Sequence, residues 1–466
     1  MHPAPLATTL DTDTVRKITV RTIPLLAIGF MVAYLDRANI SFAALSMNKD
    51  LGFTETTFGL GAGVFFVGYL LCEVPSNMLL NRFGARCWLA RIMLSWGIVS
   101  ALTAAVNTPT SYYILRFLLG AAEAGFLPGV LLYLRIWFPE HQRVRIMSAF
   151  LISIPLSSVV SAPISLSLMK MDGVLGLHGW QWLLLIEGVP SVLLGLVIWR
   201  MLPDRIEKVG WLTEDQKNAL VVTLRNEDGS KDSNKLHDFR GVFFDARVWI
   251  LGFINLALVI CIYALLFWLP QIVNIFGWSR SEIGWSVALA NILSVIAMLF
   301  WGRLCKQNGE SIWNFVAPGL VGAVSLIVGS QSLDSPLTAV VAFSIASAGL
   351  YAALPAFWGI SASILSGAAA VSGFAFIGSI GSLSGIIGPP VIGYVKDRTH
   401  SFSAGIEIMA AVLVSALLML IAIRRKLWPE TDKNDGHAMR GMDETQEPIH
   451  DGQARGFGSS NPAAGE

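Results

Sequence analysis

The sequence predicts an all-α polytopic membrane protein with about twelve transmembrane helices, arranged as two pseudo-symmetric six-helix bundles around a central cavity. Only 14% of the 466 residues are charged and 54% are hydrophobic, whereas a soluble protein carries about 25% charged residues. Apolar segments of about 20 residues, the length that crosses a bilayer, follow one another along the chain. One long hydrophilic stretch, residues 203–245, divides these segments into two groups of six.

The apolar segments define the order of the predicted spans. They cover residues 22–46, 57–80, 87–106, 111–137, 146–169, 181–201, 247–275, 284–304, 312–331, 337–358, 367–394 and 403–425. The chain then divides into an N-terminal tail, a first bundle, a central loop, a second bundle and a C-terminal tail, with boundaries 1–21, 22–201, 202–246, 247–426 and 427–466. The polar, glycine-containing composition of the C-terminal tail is typical of disorder.

The distribution of basic residues predicts the orientation, because cytoplasmic loops of membrane proteins carry an excess of Lys and Arg. Basic residues precede the first span and follow the second, fourth, eighth and twelfth spans: Arg16, Lys17, Arg21, Arg82, Arg86, Arg143, Arg145, Arg303, Lys306, Arg424, Arg425 and Lys426. The alternate connections carry fewer, although Lys396 and Arg398 follow the eleventh span. We therefore expect both termini in the cytoplasm and a first span that runs outward.

The composition disfavours several classes of protein. The formal net charge is +1 and no basic patch interleaved with aromatic residues occurs, so nucleic acid is not an expected partner. The four cysteines have no C-x-x-C spacing, which argues against a disulfide framework and a metal site. Neither H-E-x-x-H nor G-x-S-x-G occurs, which disfavours a membrane-embedded enzyme. A solute-sensing receptor would need a signalling module, for which the hydrophilic segments are too short.

An ionisable pair, Asp36 and Arg37, lies inside the first predicted span, a little past its middle. Such a pair costs several kcal/mol in a bilayer unless it faces a protein interior or a water-filled cavity, so it commonly marks a substrate or ion pathway. The alternative interpretation is a pair that neutralises itself and only fixes helix contacts.

The fourth predicted span carries a second set of charges, Arg116 and Glu123. Seven residues are nearly two helical turns, so both side chains lie on one face of the helix. From the rise per residue, Asp36, Arg37 and Glu123 lie within roughly 5–10 Å of the bilayer midplane, with Arg116 nearer the outer surface. We therefore expect the first and fourth spans to share a cavity.

The chemistry of these four groups predicts coupled binding of an anion and a proton. The planar guanidinium of Arg matches a carboxylate bidentately. Removal from water favours the neutral form of a carboxyl group, whereas a nearby Arg favours the ionised form. An organic anion that binds the Arg removes part of this compensation and favours protonation of the acid, which is the coupling that a symporter needs. The alternative is that the four residues form structural ion pairs.

Other polar residues at depth are weaker candidates. For Glu73 we favour a gating or packing pair over substrate contact, and for Glu187 a structural hydrogen bond. Tyr34, Tyr69 and Trp358 are aromatic residues with polar tips; they either pack with the tip satisfied or line the cavity.

The chain resembles the major facilitator superfamily and, within it, the anion:cation symporter family. The resemblance extends from about Arg16 to Lys426 and rests on YLDRANIS (34–41), PSNMLLNRFGAR (75–86), RFLLGAAEAGFLPGVLLYLRIWFPEHQRVR (116–145) and GPPVIGYVKD (388–397). Bacterial members take up organic acid anions such as tartrate, phthalate, hydroxyphenylacetate, hexuronates and galactonate, generally with protons. The resemblance therefore implies a carrier in the bacterial inner membrane, with protons as the coupling ion and no cofactor.

The resemblance also implies roles for individual residues. Arg37 and Arg116 contact the anion, and Asp36 and Glu123 carry the proton. Three aromatic residues line the site: Tyr34, Tyr69 and Trp358. The segment after the second span resembles the inner-loop signature of the superfamily, which implies a gate formed by Asn81, Arg82, Gly84 and Arg86.

The sequence departs from the family pattern at three positions. The signature usually has an acid where this chain has Asn81, so charge holds the inner gate less tightly. Many relatives carry Asn where this chain has Gly378 and Ser382, which leaves the exact acid open. Anion exchange, sodium coupling and efflux also remain open, although two buried Arg favour an anionic substrate and membrane carboxylates favour protons over sodium. We expect a monomer, because one chain holds both halves of the site.

Overall fold

The computed structural model describes residues 11–229, 244–308, 311–365 and 368–427. The described α-helices, in chain order, are α1 (Thr12–Leu51), α2 (Glu55–Phe83), α3 (Ala85–Leu102), α4 (Pro109–Glu123), α5 (Phe126–Trp137), α6 (Glu140–Leu168), α7 (Gly179–Met201), α8 (Glu214–Gly229), α9 (Ala246–Asn274), α10 (Arg280–Asn308), α11 (Trp313–Gln331), α12 (Pro336–Ile364), α13 (Ala368–Thr399) and α14 (Ser403–Leu427). The C-terminal tail predicted to be disordered lies, apart from Leu427, outside the described residues.

Twelve segments of the described chain are helical, long and apolar enough to cross a membrane. One of them, Pro109–Trp137, consists of α4 and α5 together, and α8 is not among them. The predicted fold class, a polytopic all-helical membrane protein, is therefore confirmed. The central loop contains α8, a helix that the sequence analysis did not predict.

Local capping chemistry explains where the first helices begin and end. The side chain of Asp11 accepts a hydrogen bond from the backbone nitrogen of Asp13 at 3.2 Å, and Thr54 accepts one from the backbone nitrogen of Thr57 at 3.1 Å. Both are typical N-caps. Gly52 ends α1 in the left-handed conformation, with a φ of 65°. Short polar turns thus separate long apolar helices.

The fourth span, predicted over residues 111–137, is present at Pro109–Trp137, but it is not one continuous helix. The helix breaks at Ala124 and Gly125, where Gly125 has a φ of +88° that disfavours any residue with a Cβ. A break in a membrane helix requires partners for the freed backbone groups. Ser76 of α2 supplies one, since its hydroxyl donates to the Ala124 carbonyl oxygen at 2.7 Å. The break leaves Glu123 as the last residue of α4.

Each half has its own pattern of helix pairs. In the first half, α3 packs against α7, α2 against α4, and α1 against α6 and α7. In the second half, α12 packs against α10 and α11, and α9 packs against α13. Three pairs join the halves: α2 with α13, α6 with α10, and α1 with α9. The interface between the halves is therefore formed by helices from both.

The halves are closed against each other at the end where α1 connects to α2. There the carboxylate of Asp397, in α13, accepts hydrogen bonds from the backbone nitrogens of Thr56 at 2.7 Å and Glu55 at 3.2 Å. At the same end, Arg280 donates to the carbonyl oxygen of Met169 at 2.8 Å. We refer to this end as the closed end; basic residues predict that it is the outer one.

Candidate functional site

A buried ion pair joins α1 to the end of α4. The Nη2 atom of Arg37 lies 2.6 Å from Oε1 of Glu123. Arg37 is only 9% exposed and Glu123 only 1% exposed. The second carboxylate oxygen of Glu123, Oε2, is buried and has no hydrogen-bond partner among the described residues. One face of this carboxylate is therefore paired, while the other has unused capacity to accept a hydrogen bond or a proton.

Aromatic rings surround the guanidinium of Arg37. Its central carbon lies 4.9 Å from the ring centroid of Tyr34, 5.2 Å from that of Tyr69 and 5.5 Å from that of Phe65. These distances are within the range of cation–π attraction. The sequence analysis named both tyrosines as candidates, and the structure brings both to Arg37. The sequence analysis did not single out Phe65.

The second half also contributes to the surroundings of Arg37. Tyr263 of α9 packs on Phe66 with 4.7 Å between the ring centroids, and its side chain interacts with the Arg37 guanidinium. Tyr351 of α12 interacts in turn with Tyr263 and Tyr34. Sequence reasoning missed both tyrosines. Tyr263 could have been found from the sequence, because it is an aromatic residue with a polar tip in the middle of the seventh predicted span.

Asp36 does not pair with its neighbour Arg37. Its Oδ1 atom accepts hydrogen bonds from Nδ2 of Asn39 at 3.0 Å and from the hydroxyl of Ser100, while Oδ2 is buried without a partner among the described residues. Consecutive residues of a helix point about 100° apart. Asp36 accordingly contacts α3, within the first bundle, and Arg37 contacts α2 and α4. The self-neutralising pair considered from the sequence is not formed.

Arg116 is a buried cation that forms no ion pair in the described part of the chain. Its Nε donates to the carbonyl oxygen of Gly61 at 3.3 Å, and its guanidinium lies 5.0 Å from the ring centroid of Phe65. Its Nη2 is buried and lacks a partner among the described residues. Both arginines thus contact the ring of Phe65, and Arg116 keeps one buried donor unused among the described residues.

Close packing of α2 on α4 explains this geometry. A Cβ on Gly120 would overlap the carbonyl oxygen of Phe65, and one on Gly68 would overlap that of Phe117. Small residues of this kind let two helix backbones approach closely in a membrane. The approach places the α2 ring of Phe65 between residues of α1 and α4.

The ring contacts of Trp358 do not include the aromatic residues around Arg37. Trp358 is half-buried in α12 and contacts Phe357 and Phe374, with ring centroids 5.2 Å and 6.2 Å away. Of the two positions in α13 that depart from the family pattern, Ser382 donates its hydroxyl to the carbonyl oxygen of Gly378 at 3.1 Å. That hydroxyl is therefore engaged within α13.

The predicted gate segment contacts an acid that sequence reasoning missed. The backbone nitrogen of Arg86 donates to Oδ1 of Asp204 at 3.1 Å, and its Nε lies 3.1 Å from Oδ2. Gly84 has a φ of +86°, while Asn81 and Arg82 are exposed. Asp204 follows α7, so this ion pair lies within the first half. A carboxylate is thus present near the signature although Asn81 is not an acid.

A narrow cavity lies between the halves beside the charged cluster. Its polar lining consists of Ser158, Asn291, Ser347 and Tyr351, and Ala38 and Phe42 of α1 form part of its apolar wall. Neither Arg37 nor Glu123 lines this cavity, although Ala38 is the residue after Arg37 in α1. Among the described residues, no group of three or more His, Cys, Asp or Glu could hold a metal ion.

Comparisons with known proteins were made for the whole chain. The family model of the Major Facilitator Superfamily matches residues 26–389. The chain is 45% identical over 416 residues to a protein of Agrobacterium vitis named "Putative tartrate transporter", covering 89% of this chain and 96% of that protein. It is 38% identical over 422 residues to a "Quinolone resistance transporter" of Acinetobacter baumannii, covering 90% and 96%, respectively.

The fold is similar to that of a bacterial homolog of the human lysosomal transporter Spinster, solved in an inward-facing, unoccupied conformation. The TM-score is 0.70 at 16% sequence identity, and the match covers 90% of this chain and 98% of that chain. At this identity the likeness shows the fold alone.

Proposed function

Because the chain belongs to the Major Facilitator Superfamily, we propose that it is a secondary active transporter that imports a small organic acid anion by proton symport. That it is a multi-pass membrane transporter and not an enzyme follows from the family. We propose in addition the substrate class, the coupling ion and alternating access.

The buried pair of Arg37 and Glu123 carries the proposal. A substrate carboxylate that binds Arg37 competes with Glu123 for the same guanidinium. A displaced Glu123 would be a buried carboxylate without a counter-ion, which is strongly unfavourable, so it takes up a proton. For each substrate carboxylate that binds together with one proton, the site gains one negative and one positive charge. Its net charge is unchanged, and each ligand favours binding of the other.

Arg116 and Asp36 extend this arrangement. The free Nη2 of Arg116 is a second donor for the anion, and the free Oδ2 of Asp36 is a second acceptor for a proton. Tyr34 and Tyr69 hold the guanidinium of Arg37 in place through their rings. In this proposal Trp358 and the cavity residues contact the uncharged part of the substrate. The protein acts as a monomer in the bacterial inner membrane.

Alternating access is proposed from the contacts that join the halves at the closed end. The hydrogen bonds of Asp397 and Arg280 hold the halves together at the closed end. A rocking motion of one half against the other would break these contacts and open that end, with the charged residues near the pivot. The gate around Arg86 would engage in the opposite state.

The name of the Agrobacterium vitis relative supports a short hydroxylated dicarboxylate such as tartrate as the first acid to test. Two other modes use the same arginines. An anion exchanger would keep Glu123 ionised throughout, and a sodium-coupled carrier would replace its proton by a cation. Efflux is a further alternative, since the relative from Acinetobacter baumannii is named a quinolone resistance transporter.

Uptake into proteoliposomes tests the proposal. The panel is tartrate, a hexuronate, galactonate, phthalate and hydroxyphenylacetate, each with an acid-outside pH gradient, with a protonophore, and with a sodium gradient instead. We expect concentrative uptake of one class of acid that collapses with protonophore. Uptake that ignores the pH gradient, or none across the panel, would contradict proton symport.

The variant Glu123→Gln separates binding from coupling. Its amide cannot exchange a proton, so we expect counterflow of labelled substrate to persist while accumulation driven by the pH gradient is lost. Glu407→Gln is a matched control, because Glu407 also lies within a span, in α14, but belongs to the second half. Accumulation by Glu123→Gln at the wild-type level would exclude Glu123 as the proton carrier.

A further inference from the structure

A second buried acid, Glu187 of α7, lies inside the first bundle and has no part in the mechanism above. It is only 3% exposed. Its Oε1 atom accepts a hydrogen bond from the hydroxyl of Ser165, in α6, at 2.7 Å, and that hydroxyl lies 3.2 Å from the hydroxyl of Ser161. The structural hydrogen bond expected from the sequence is therefore present. It leaves Oε2 buried, with no partner among the described residues.

Asn39 connects Glu187 to Asp36. Its side-chain amide donates to Oδ1 of Asp36 at 3.0 Å and also interacts with the carboxyl group of Glu187. The helices hold this arrangement tightly, since a Cβ on Gly188 would lie 2.7 Å from the carbonyl oxygen of Gly97, where α7 crosses α3. The two carboxyl groups thus share one neutral polar neighbour in a closely packed interior.

The charges around the two acids are not balanced. Among the described residues neither acid forms a salt bridge, and the one charged group that interacts with Glu187 is Asp36 itself. Asp36 interacts in addition with Arg116 and Glu123. The elements packed against Glu187 contribute Asp36 and Asn39 from α1, Ser100 from α3, and Ser161 and Ser165 from α6.

This environment assigns the proton to Glu187. Two neighbouring buried carboxyl groups do not both ionise, because like charges in a dry interior repel and neither is compensated. Asp36 receives two hydrogen bonds and the attraction of Arg116, which favour its ionised form. The repulsion by Glu123 acts in the opposite direction, but Glu123 is itself paired with Arg37. Glu187 receives one hydroxyl and has a free Oε2 atom to carry the hydrogen.

We propose that Glu187 is a second proton-holding site, which exchanges its proton with Asp36 during the transport cycle. The proton leaves Oε2 of Glu187 and binds Oδ2 of Asp36; one carboxylate forms as the other disappears, so the pair keeps a charge of one negative unit. Glu187 lies eight residues from the start of α7 at Gly179, or about 12 Å along the helix. It therefore stands between the closed end and Asp36. This inference rests on the proposed proton symport.

Infrared spectroscopy of the purified protein in detergent tests the protonation state without any substrate. We expect the wild type to show the carbonyl stretching band of a protonated carboxyl group at neutral pH, and Glu187→Gln to lose that component. Ser165→Ala removes the hydrogen bond but keeps the acid, so its band should be shifted and not lost. A Glu187→Gln spectrum identical to wild type in this region would overturn the proposal.

Transport assays test the role of the proton. Gln has the shape of protonated Glu and can accept from Ser165, but it cannot release a proton. We expect Glu187→Gln to retain counterflow and to lose accumulation driven by the pH gradient, whereas the control Glu407→Gln accumulates normally. Should Glu187→Gln fold poorly, Glu187→Asp keeps the acid and should restore accumulation. Accumulation by Glu187→Gln with the pH profile of wild type would overturn the proposal.

The outcomes distinguish this inference from the proposed function. If the wild type accumulates no acid of the panel in response to a pH gradient, the proposed symport fails, and the infrared band still reports whether Glu187 holds a proton. If the wild type accumulates an acid and Glu187→Gln does so equally, the symport stands and the role of Glu187 fails.

Discussion

At the scale of single residues, Arg37 is held by one carboxylate and three aromatic rings. Such an environment makes the guanidinium rigid, so little further ordering is needed when an anion replaces Glu123. Arg116 is held more loosely, by a carbonyl oxygen and one ring. In the proposed mechanism, the two arginines therefore offer a fixed donor and a spare donor to the same substrate.

Replacement of Arg37 should abolish anion binding. Arg37→Ala removes the guanidinium and leaves Glu123 buried without a partner, and truncation of one member of a buried charge pair typically costs about 2–5 kcal/mol. We expect affinity for the transported acid to fall by at least about 30-fold, measured by isothermal titration calorimetry in detergent. Arg37→Lys keeps the charge but loses the bidentate fork, so an intermediate affinity is expected. Near-normal binding by Arg37→Ala would rule out the anion-receptor role.

At the scale of elements, the break between α4 and α5 and the close contact of α2 with α4 position the charged residues. The break ends α4 at Glu123 and is satisfied by Ser76 of α2. The contact lets Phe65 reach both arginines. Both features depend on glycines: Gly125 at the break faces the side chain of Ser76, and Gly120 in the helix contact faces the backbone of Phe65. A methyl group at either place has no room.

The α2–α4 contact makes Gly120 intolerant of substitution. In Gly120→Ala the new methyl group overlaps the backbone carbonyl of Phe65, which cannot rotate away, and such overpacking costs about 1–3 kcal/mol. We expect a lower midpoint of thermal unfolding in detergent and weaker substrate binding. Gly359→Ala is the control, since nothing lies within 4 Å of its Cβ position, and helix propensity alone should leave it unchanged or slightly more stable. Equal stabilities would contradict the packing argument.

At the scale of the whole molecule, the two halves contribute unequally. The buried charged residues of the described chain are Asp36, Arg37, Arg116, Glu123 and Glu187, all in the first half. Around the cavity, the second half contributes tyrosines and neutral polar side chains. Its charged contacts with the first half, Asp397 and Arg280, lie at the closed end. The first half therefore carries the charge chemistry, and movement of the second half against it would control access.

The carboxylate of Asp397 should stabilise the closed end. It accepts from two backbone nitrogens at the start of α2, where a helix has unpaired donors and a partial positive charge. Loss of a comparable cap costs about 0.5–2 kcal/mol, so Asp397→Ala should shift the population toward the state open at that end. Distances between spin labels at Asn107 and Asn274, measured by pulsed electron paramagnetic resonance, should lengthen.

The control for this experiment is Asp334→Ala. Asp334 is an exposed acid in the connection between α11 and α12, at the same end of the bundle. It should leave the distance distribution as in wild type. If the distance distribution of Asp397→Ala matched those of the wild type and of Asp334→Ala, the cap would not hold the halves together.

The sequence by itself determined the number and approximate position of the spans and which charged residues lie within them. Both are local properties, because the length of an apolar segment and the position of a residue within it can be read without knowing any partner. The pairing of Arg37 with Glu123 and of Asp36 with Ser100 was decided only by the tertiary structure, since each joins residues far apart in the chain. The same holds for the break at Gly125, the approach of Tyr263 and the ion pair of Arg86 with Asp204. Each requires a group from another helix or connection at a particular point in space, and hydrophobic periodicity carries no information about that.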